Sequence, residues 1–288
     1  MDEQTDLFAD AELFPEAAPA PLPAIAGNYY IGTSGYVFPD WRGTVYPAHL
    51  SDRELLPHYL NVWKFNALEI NVTFYRMPTA RMLASFDERT PPDYQLAIKV
   101  FRELTHVPHT EAPRAQAAEM SAALQPLRDS GKLAALLFQF PYSFKHTREN
   151  RDYLRVCRAL FPADPLVVEF RNASWHTPET DELLHELDCA YCAVDEPQLR
   201  GLVPFHDAVT SPLGYARLHG RNEHWFTAGE KERYNYDYSD RELRDLFTRI
   251  RRMAEQTRKM LIFFNNCYMG RAVKNAMHMR QLVVKEGG

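Results

Sequence analysis

From residue 28 onward, short apolar runs alternate with stretches whose apolar residues fall three and four apart; the first pattern predicts strands and the second helices. The runs are Tyr29 to Thr33, Ala67 to Asn71, Gln95 to Val100, Leu133 to Phe138, Leu166 to Phe170, Ala190 to Asp195, Tyr215 to Leu218 and Met260 to Phe264. Most are apolar at consecutive positions, as parallel strands packed on both faces require. Helix starts lie between them. Ser51 with Glu54 and Ser239 with Glu242 fit the reciprocal hydroxyl and carboxylate cap, and Thr177 before Pro178 sets a capping hydroxyl ahead of a first-turn proline. Ahead of the last run, Leu243, Leu246, Phe247, Ile250 and Met253 share one helix face. Eight alternations in about 260 residues predict an α/β fold, a single-domain TIM-like (β/α)8 barrel over residues 27–288. One unit is irregular: "EPQLRGLVPFHDAVTSPLG", between the sixth and seventh runs, shows no helix pattern.

Residues 1–26 break from this pattern. They hold six acids, no lysine or arginine, and an Ala/Pro-rich stretch, "PEAAPAPLPAIAG", which buries too little to offset its ordering entropy and reads as a disordered arm. That arm carries much of the net charge of −5, leaving 32 of the 38 acids against 33 basic residues in the rest of the chain. A nearly neutral body lacks the basic footprint of a nucleic-acid binder. No apolar run is long enough to span a membrane and no secretory signal opens the chain, so the expected location is cytoplasmic. Four scattered cysteines form no disulfide framework. Cys189 and Cys192 spell C-x-x-C, but on a strand they face opposite ways.

In such a barrel, ligands bind where the strands end. The runs deliver Glu69 and Asn71, Lys99, Gln139, Glu169 and Arg171, Asp195, Arg217 and His219, then Asn265 and Asn266 to that end. Residues two apart share a strand face, so Glu69 with Asn71, Glu169 with Arg171 and Arg217 with His219 can each point the same way. The competing reading is that Glu69, Lys99, Glu169, Arg171, Asp195 and Arg217 merely neutralise one another, although buried ion networks are a poor source of stability. Long loops rich in Tyr36, Phe38, Trp41, Trp225, Phe226, Tyr234, Tyr236 and Tyr238 suit lids or binding walls. Gly32 to Gly35 can turn backbone N–H groups toward an anion, and Asn265 to Gly270 precede the last helix, where barrels often hold a phosphate. Glu69, Glu169, Asp195 and His219 also make a donor set for a divalent metal, opposed by the nearby cations; no cofactor is otherwise predicted. His106 and His109 form an H-x-x-H interrupted by proline, read as a loop pair without metal.

The segments "IGTSGYVFPDWRGTVYP", "LEINVTFYRMP", "LAIKVFRELTH", "LLFQFPYSF", "VVEFRNASW", "ARLHGR" and "IFFNNCYMGRAVKNA" closely resemble the YecE-like family, the domain of unknown function number seventy-two. The resemblance spans Tyr29 to Met277 and implies a TIM-barrel fold, with neither an activity nor a cofactor attached. The acidic arm departs from the family outline. Within it, "QTDLF" resembles the short peptide with which bacterial proteins dock on the replication sliding clamp, with Gln4, Leu7 and Phe8 as the contacts. Matches this short also arise by chance.

The leading expectation is an enzyme acting by hydrolysis or elimination on a small polar or anionic metabolite. Glu69 and Glu169 serve as acid and base, with Lys99, His219 and Asp195 as further catalytic candidates. Ser34, Gly35, Trp41, Asn71, Tyr75, Arg171, Arg217, Asn265 and Asn266 are the expected substrate contacts. The alternatives are a metal-dependent phosphodiesterase or nuclease tethered to the clamp, and a non-enzymatic ligand-binding or adaptor protein.

Overall fold

All eight predicted runs form parallel strands, each paired with its neighbours in one ring. The computed structural model describes residues 25, 27–107, 113–229 and 232–286, so Gln4, Leu7, Phe8 and His109 lie outside the described residues. The strands are β1 (Tyr29–Thr33), β2 (Ala67–Ile70), β3 (Gln95–Lys99), β4 (Leu133–Gln139), β5 (Leu166–Glu169), β6 (Cys189–Asp195), β7 (Leu213–Leu218) and β8 (Lys259–Phe264). Their order is β1-β8-β7-β6-β5-β4-β3-β2, every pair parallel. The helices are α1 (Asp52–His58), α2 (Val72–Tyr75), α3 (Ala80–Arg89), α4 (Arg114–Ala123), α5 (Gln125–Asp129), α6 (Arg148–Leu160), α7 (Pro178–Glu186), α8 (Asp240–Ala254) and α9 (Arg271–Glu286). No helix is described between β6 and β7, as the sequence pattern there implied. Among the described residues, no helix is long and apolar enough to cross a membrane.

Caps set the helices where the sequence signals them. Ser239 N–H donates to Glu242 Oε2 at 2.9 Å while Glu242 N–H donates to Ser239 Oγ at 3.3 Å, and Thr177 Oγ1 accepts from Thr180 N–H at 3.3 Å. Leu243, Leu246, Phe247, Ile250 and Met253 of α8 are all buried.

Ring closure between β1 and β2 uses a different device from the other pairs. At the lower end the Asn66 side chain takes the place of the ladder, accepting from Ile31 N–H at 2.8 Å and donating to Tyr29 O at 2.9 Å. At the upper end Ser34 bridges Glu69, and Gly35 N–H donates to Glu69 O at 2.9 Å. Between them Gly32 faces the β2 backbone so closely that a Cβ there would lie 2.0 Å from the Ala67 carbonyl oxygen. Only glycine permits that approach.

The four cysteines are free and buried. Cys189 Sγ points to Leu187 O at 3.5 Å, whereas Cys192 Sγ sits inside the barrel, 3.9 Å from Glu169 Oε2, so the C-x-x-C is split across the strand.

Candidate functional site

Glu69 on β2, Glu169 on β5 and Arg217 on β7 meet inside the upper end of the barrel, with the guanidinium between the two carboxylates. Arg217 Nε and Nη2 donate to Glu69 Oε2 and Oε1 at 3.0 and 2.7 Å, and Nη1 donates to Glu169 Oε2 at 2.6 Å. Tyr215, two residues earlier and on the same face, donates its hydroxyl to Glu69 Oε2 at 2.7 Å. Arg171 pairs with Glu169 Oε1 and with Glu196 Oε2, each at 2.7 Å. The charges form an alternating row: Glu69, Arg217, Glu169, Arg171, Glu196. All three carboxylates are fully buried. Removed from water, each is stable only while its cationic partner stays in place.

Burial works to raise the Glu169 pKa, but Arg171 and Arg217 overcome it and hold the group well below the ordinary carboxylate range. At the end of the row the balance reverses. Burial pushes Glu196 up to about 7 against the pull of Arg171, and Glu169 adds to the rise. His219, fully buried, is kept neutral by that burial and then by Arg171. Its Nδ1 lies 2.7 Å from Asn265 Nδ2, and its Nε2 lies 3.1 Å from Arg171 Nη2 and 3.4 Å from Glu169 Oε1.

Above this row opens a cavity of about 580 Å³, within the size range of small-molecule sites. Tyr36, Phe38, Phe86 and Tyr234 give it aromatic walls, and Tyr75 stands at its mouth, 75% exposed. Its polar lining includes Ser34, Asn71, Lys99, Gln139 and Asn265, with Glu69, Arg171 and Arg217 at the charged floor. Lys99 Nζ donates to Gln139 Oε1 at 2.8 Å and lies 4.1 Å from the centre of the Phe74 ring. The short α2 that carries Phe74 is tied over the ends of β2 and β3 by Thr73 Oγ1, which donates to Ile70 O at 3.0 Å and Lys99 O at 2.6 Å.

The structure thus gathers Glu69, Lys99, Ser34, Gly35, Asn71, Tyr75, Arg171, Arg217 and Asn265 on one cavity. Glu169 belongs to the charged row and His219 packs against it, neither lining that cavity. Three expected site residues are elsewhere. Trp41 is fully buried, packed 4.8 Å from Phe38 with its Nε1 donating to Cys267 O at 2.6 Å, because a large ring in a loop gains most by burial. Asp195 points outward from β6, bound by Arg221 at 2.7 Å and the Tyr238 hydroxyl at 2.6 Å. Asn266 donates to Tyr236 O at 2.8 Å and to Asn275 Oδ1 at 2.7 Å, joining α9 to the loop after β7.

Both expected anion cradles are also taken internally. Ser34 and Gly35 N–H groups are spent on Phe264 O and Glu69 O, each at 2.9 Å, and Met269 N–H ahead of α9 is met by Asp40 Oδ2 at 2.7 Å. The metal donor set does not fit either: Arg217 fills the space between Glu69 and Glu169 while Asp195 faces away, and the described residues contain no group of three ligating side chains. His106 bonds its Nδ1 to Thr105 Oγ1 at 2.9 Å and packs 4.8 Å from the Phe74 ring.

Sequence reasoning did not select Tyr215 or Glu196. Tyr215 had a readable signal, since it lies two residues before Arg217 and shares its face. Glu196 lies two past Val194 on the inward parity of β6; the adjacent Asp195, one step off that parity, drew the assignment instead.

Residues 30–288 match the family described as "Protein of unknown function DUF72". The chain is 31% identical over 270 residues to the UPF0759 protein YunF of Bacillus subtilis (strain 168), covering 88% of this chain and 94% of that one. The crystal structure of a DUF72 family protein from Thermotoga maritima MSB8 is similar with a TM-score of 0.85 at 38% identity, over 90% of this chain and 100% of that one. One from Enterococcus faecalis V583 gives 0.77 at 26% identity, over 91% and 99%. The match runs through every barrel strand and the last helix, and on that ground the chain belongs to the DUF72 family.

Proposed function

We propose that the chain is an enzyme that takes a small polar or anionic compound into the strand-end cavity and that Lys99 moves a proton to or from it. The setting of Lys99 carries this reading. Lys99 lines the cavity, its Nζ is held by an amide oxygen and a ring face, and it has no ion-pair partner among the described residues. Burial, followed by Arg217, lowers its pKa from 10.5 to about 7. Amine and ammonium then coexist at neutral pH, the condition an acid–base group needs. The Phe74 ring face favours the ammonium and works the other way.

A paired-carboxylate mechanism is less well supported by this geometry, because Glu69 and Glu169 share a guanidinium where an acid–base pair would divide a proton. Their role in the proposal is to fix Arg217 and Arg171 beneath the substrate. Asn71 and Asn265 supply orienting amides from the lining. Elimination, or proton abstraction beside a carbonyl, suits a single amine base better than hydrolysis does.

The test is thermal unfolding in the presence of small carboxylates, phosphates and neutral sugars, one class at a time. One class is expected to raise the midpoint saturably, adding about 2.7 kcal/mol at a hundredfold excess over Kd. Asn71→Leu and Lys99→Met should unfold normally without ligand and lose most of the shift. Absence of any shift in the unaltered chain, or shifts unchanged in both variants, would count against the cavity as a ligand site.

A further inference from the structure

We infer that Lys99 is a nucleophile that condenses with a carbonyl compound, which makes the cavity a site for a small 2-oxo acid held as an iminium. This rests on the reading of the cavity as a small-molecule site, adds the substrate class, and has the same amine bond to carbon where the reading above had it carry a proton.

The argument starts from charge placement. A lysine kept only as a structural cation would be expected to rest on a carboxylate. Three buried carboxylates point into this end of the barrel, and Arg217 and Arg171 hold all three, while Asp195 faces outward to Arg221. Lys99 is left on Gln139 Oε1 and the Phe74 ring. Gln139 is itself fixed, its Nε2 donating to Phe140 O at 2.8 Å, so the amide presents its oxygen to Nζ. Thr73 pins α2, and with it Phe74, against the same amine. The nitrogen is therefore positioned by neutral groups, as a nucleophile has to be if its lone pair is to become available.

The other charged and titratable groups around it are Arg217, Glu169, Glu69, Arg171 and His106. Arg217 and Arg171, which line the cavity with Lys99, disfavour the ammonium and also offer a carboxylate-bearing substrate its counter-charge. Arg171 and Asn71, which share the lining, also carry buried polar atoms without a hydrogen-bond partner, Nε and Oδ1.

The condensation balances without an oxidant or reductant. The Nζ lone pair forms a bond to the carbonyl carbon as the C=O π pair moves to oxygen, and the proton lost by nitrogen is taken up there. A solvent proton then adds to that hydroxyl, which leaves as one water as the nitrogen lone pair moves into the C=N bond, giving the iminium.

The experiment is reductive trapping. The full chain is incubated with pyruvate, glyoxylate or propanal in the presence of cyanoborohydride, and adducts are located by peptide mass mapping. Hydride reduction of the iminium fixes it as a secondary amine. The expected result is a saturable adduct on Lys99 with the two oxo acids, at least tenfold above that on any exposed lysine and weaker with propanal, which lacks the carboxylate. Since the ammonium has no lone pair, labelling should be low below pH 7, rise through about pH 7 and level off above it. Labelling spread over exposed lysines with Lys99 bare would overturn the inference. Lactate, which has the carboxylate and no ketone, separates the two levels: a thermal shift with lactate but no adduct from either oxo acid removes the covalent step and keeps the ligand site, whereas no adduct together with no shift from lactate or any of the three ligand classes removes both.

Discussion

Replacing Arg217 with methionine is expected to destabilise the chain by more than about 4 kcal/mol, enough to leave a domain of ordinary stability largely unfolded at moderate urea. The size follows from what the guanidinium separates. Glu69 and Glu169 are both fully buried, and three of the Arg217 donor groups are committed to them. Without it, two buried carboxylates would face each other, with Tyr215 and Arg171 as partial relief. Arg217→Lys should fall between, because a point charge cannot span both acids as a planar fork does. The decisive control is the triple variant Arg217→Met, Glu69→Gln, Glu169→Gln, which removes the charges together and should recover more than half of the loss. Urea midpoints for the three proteins provide the measurement. An Arg217→Met midpoint close to that of the unaltered chain would mean that the carboxylates do not depend on this residue.

The second large effect is expected at Gly32, where alanine should cost more than about 3 kcal/mol, above the usual penalty for an added methyl in a packed core. The obstacle is the Ala67 carbonyl oxygen, 2.0 Å from where the Cβ would sit. A backbone atom cannot swing aside as a side chain can, so β1 and β2 would have to part. Parting them would also shift Ser34 from Glu69 and so disturb the floor of the cavity. Gly43→Ala is the matched control. It has a positive φ of 82° but no atom within 4 Å of its Cβ position, so it should lose only about 1–2 kcal/mol of backbone preference. Equal midpoints for the two variants would show that the seam is looser than the close approach implies.

The barrel was legible because its strands are apolar on consecutive positions and end in charge, a combination that neither a surface helix nor an exposed hairpin produces. β1 matches its predicted limits, and the other strands differ by one or two residues at an end, as with Leu213 and Gly214 preceding the expected start of β7. The site was legible to the extent that parity within one strand sufficed. Glu69, Glu169, Arg171 and Arg217 all turned inward, and their meeting follows from ring closure. Asp195 shows where that method stops. Choosing between it and Glu196 needs the register of β6 against β7, where Cys192 sits beside Tyr215, and register is a property of the assembled ring. Trp41 and Asn266 mark a second boundary. Aromatic and amide residues in loops serve the wall of a cavity or the seam behind it equally well, and only the contacts with Cys267, Tyr236 and Asn275 distinguish the two. The division of labour among the cations was the least legible feature, since nothing in the composition of a strand end says which lysine or arginine will be left without an acid.

The seclusion of the four thiols turns this barrel into its own recorder of transient opening. Burial pushes the pKa of each one up, Cys189 to about 11, so a solution alkylating agent finds almost no thiolate to attack while the ring is intact. Modification should therefore wait on excursions from the native state. Cys192, facing Glu169 in the interior, should be tagged no faster than whole-ring unfolding allows, whereas Cys267, at the junction between the first and last strand loops, would be tagged earlier if the seam at Gly32 is where the ring first comes apart.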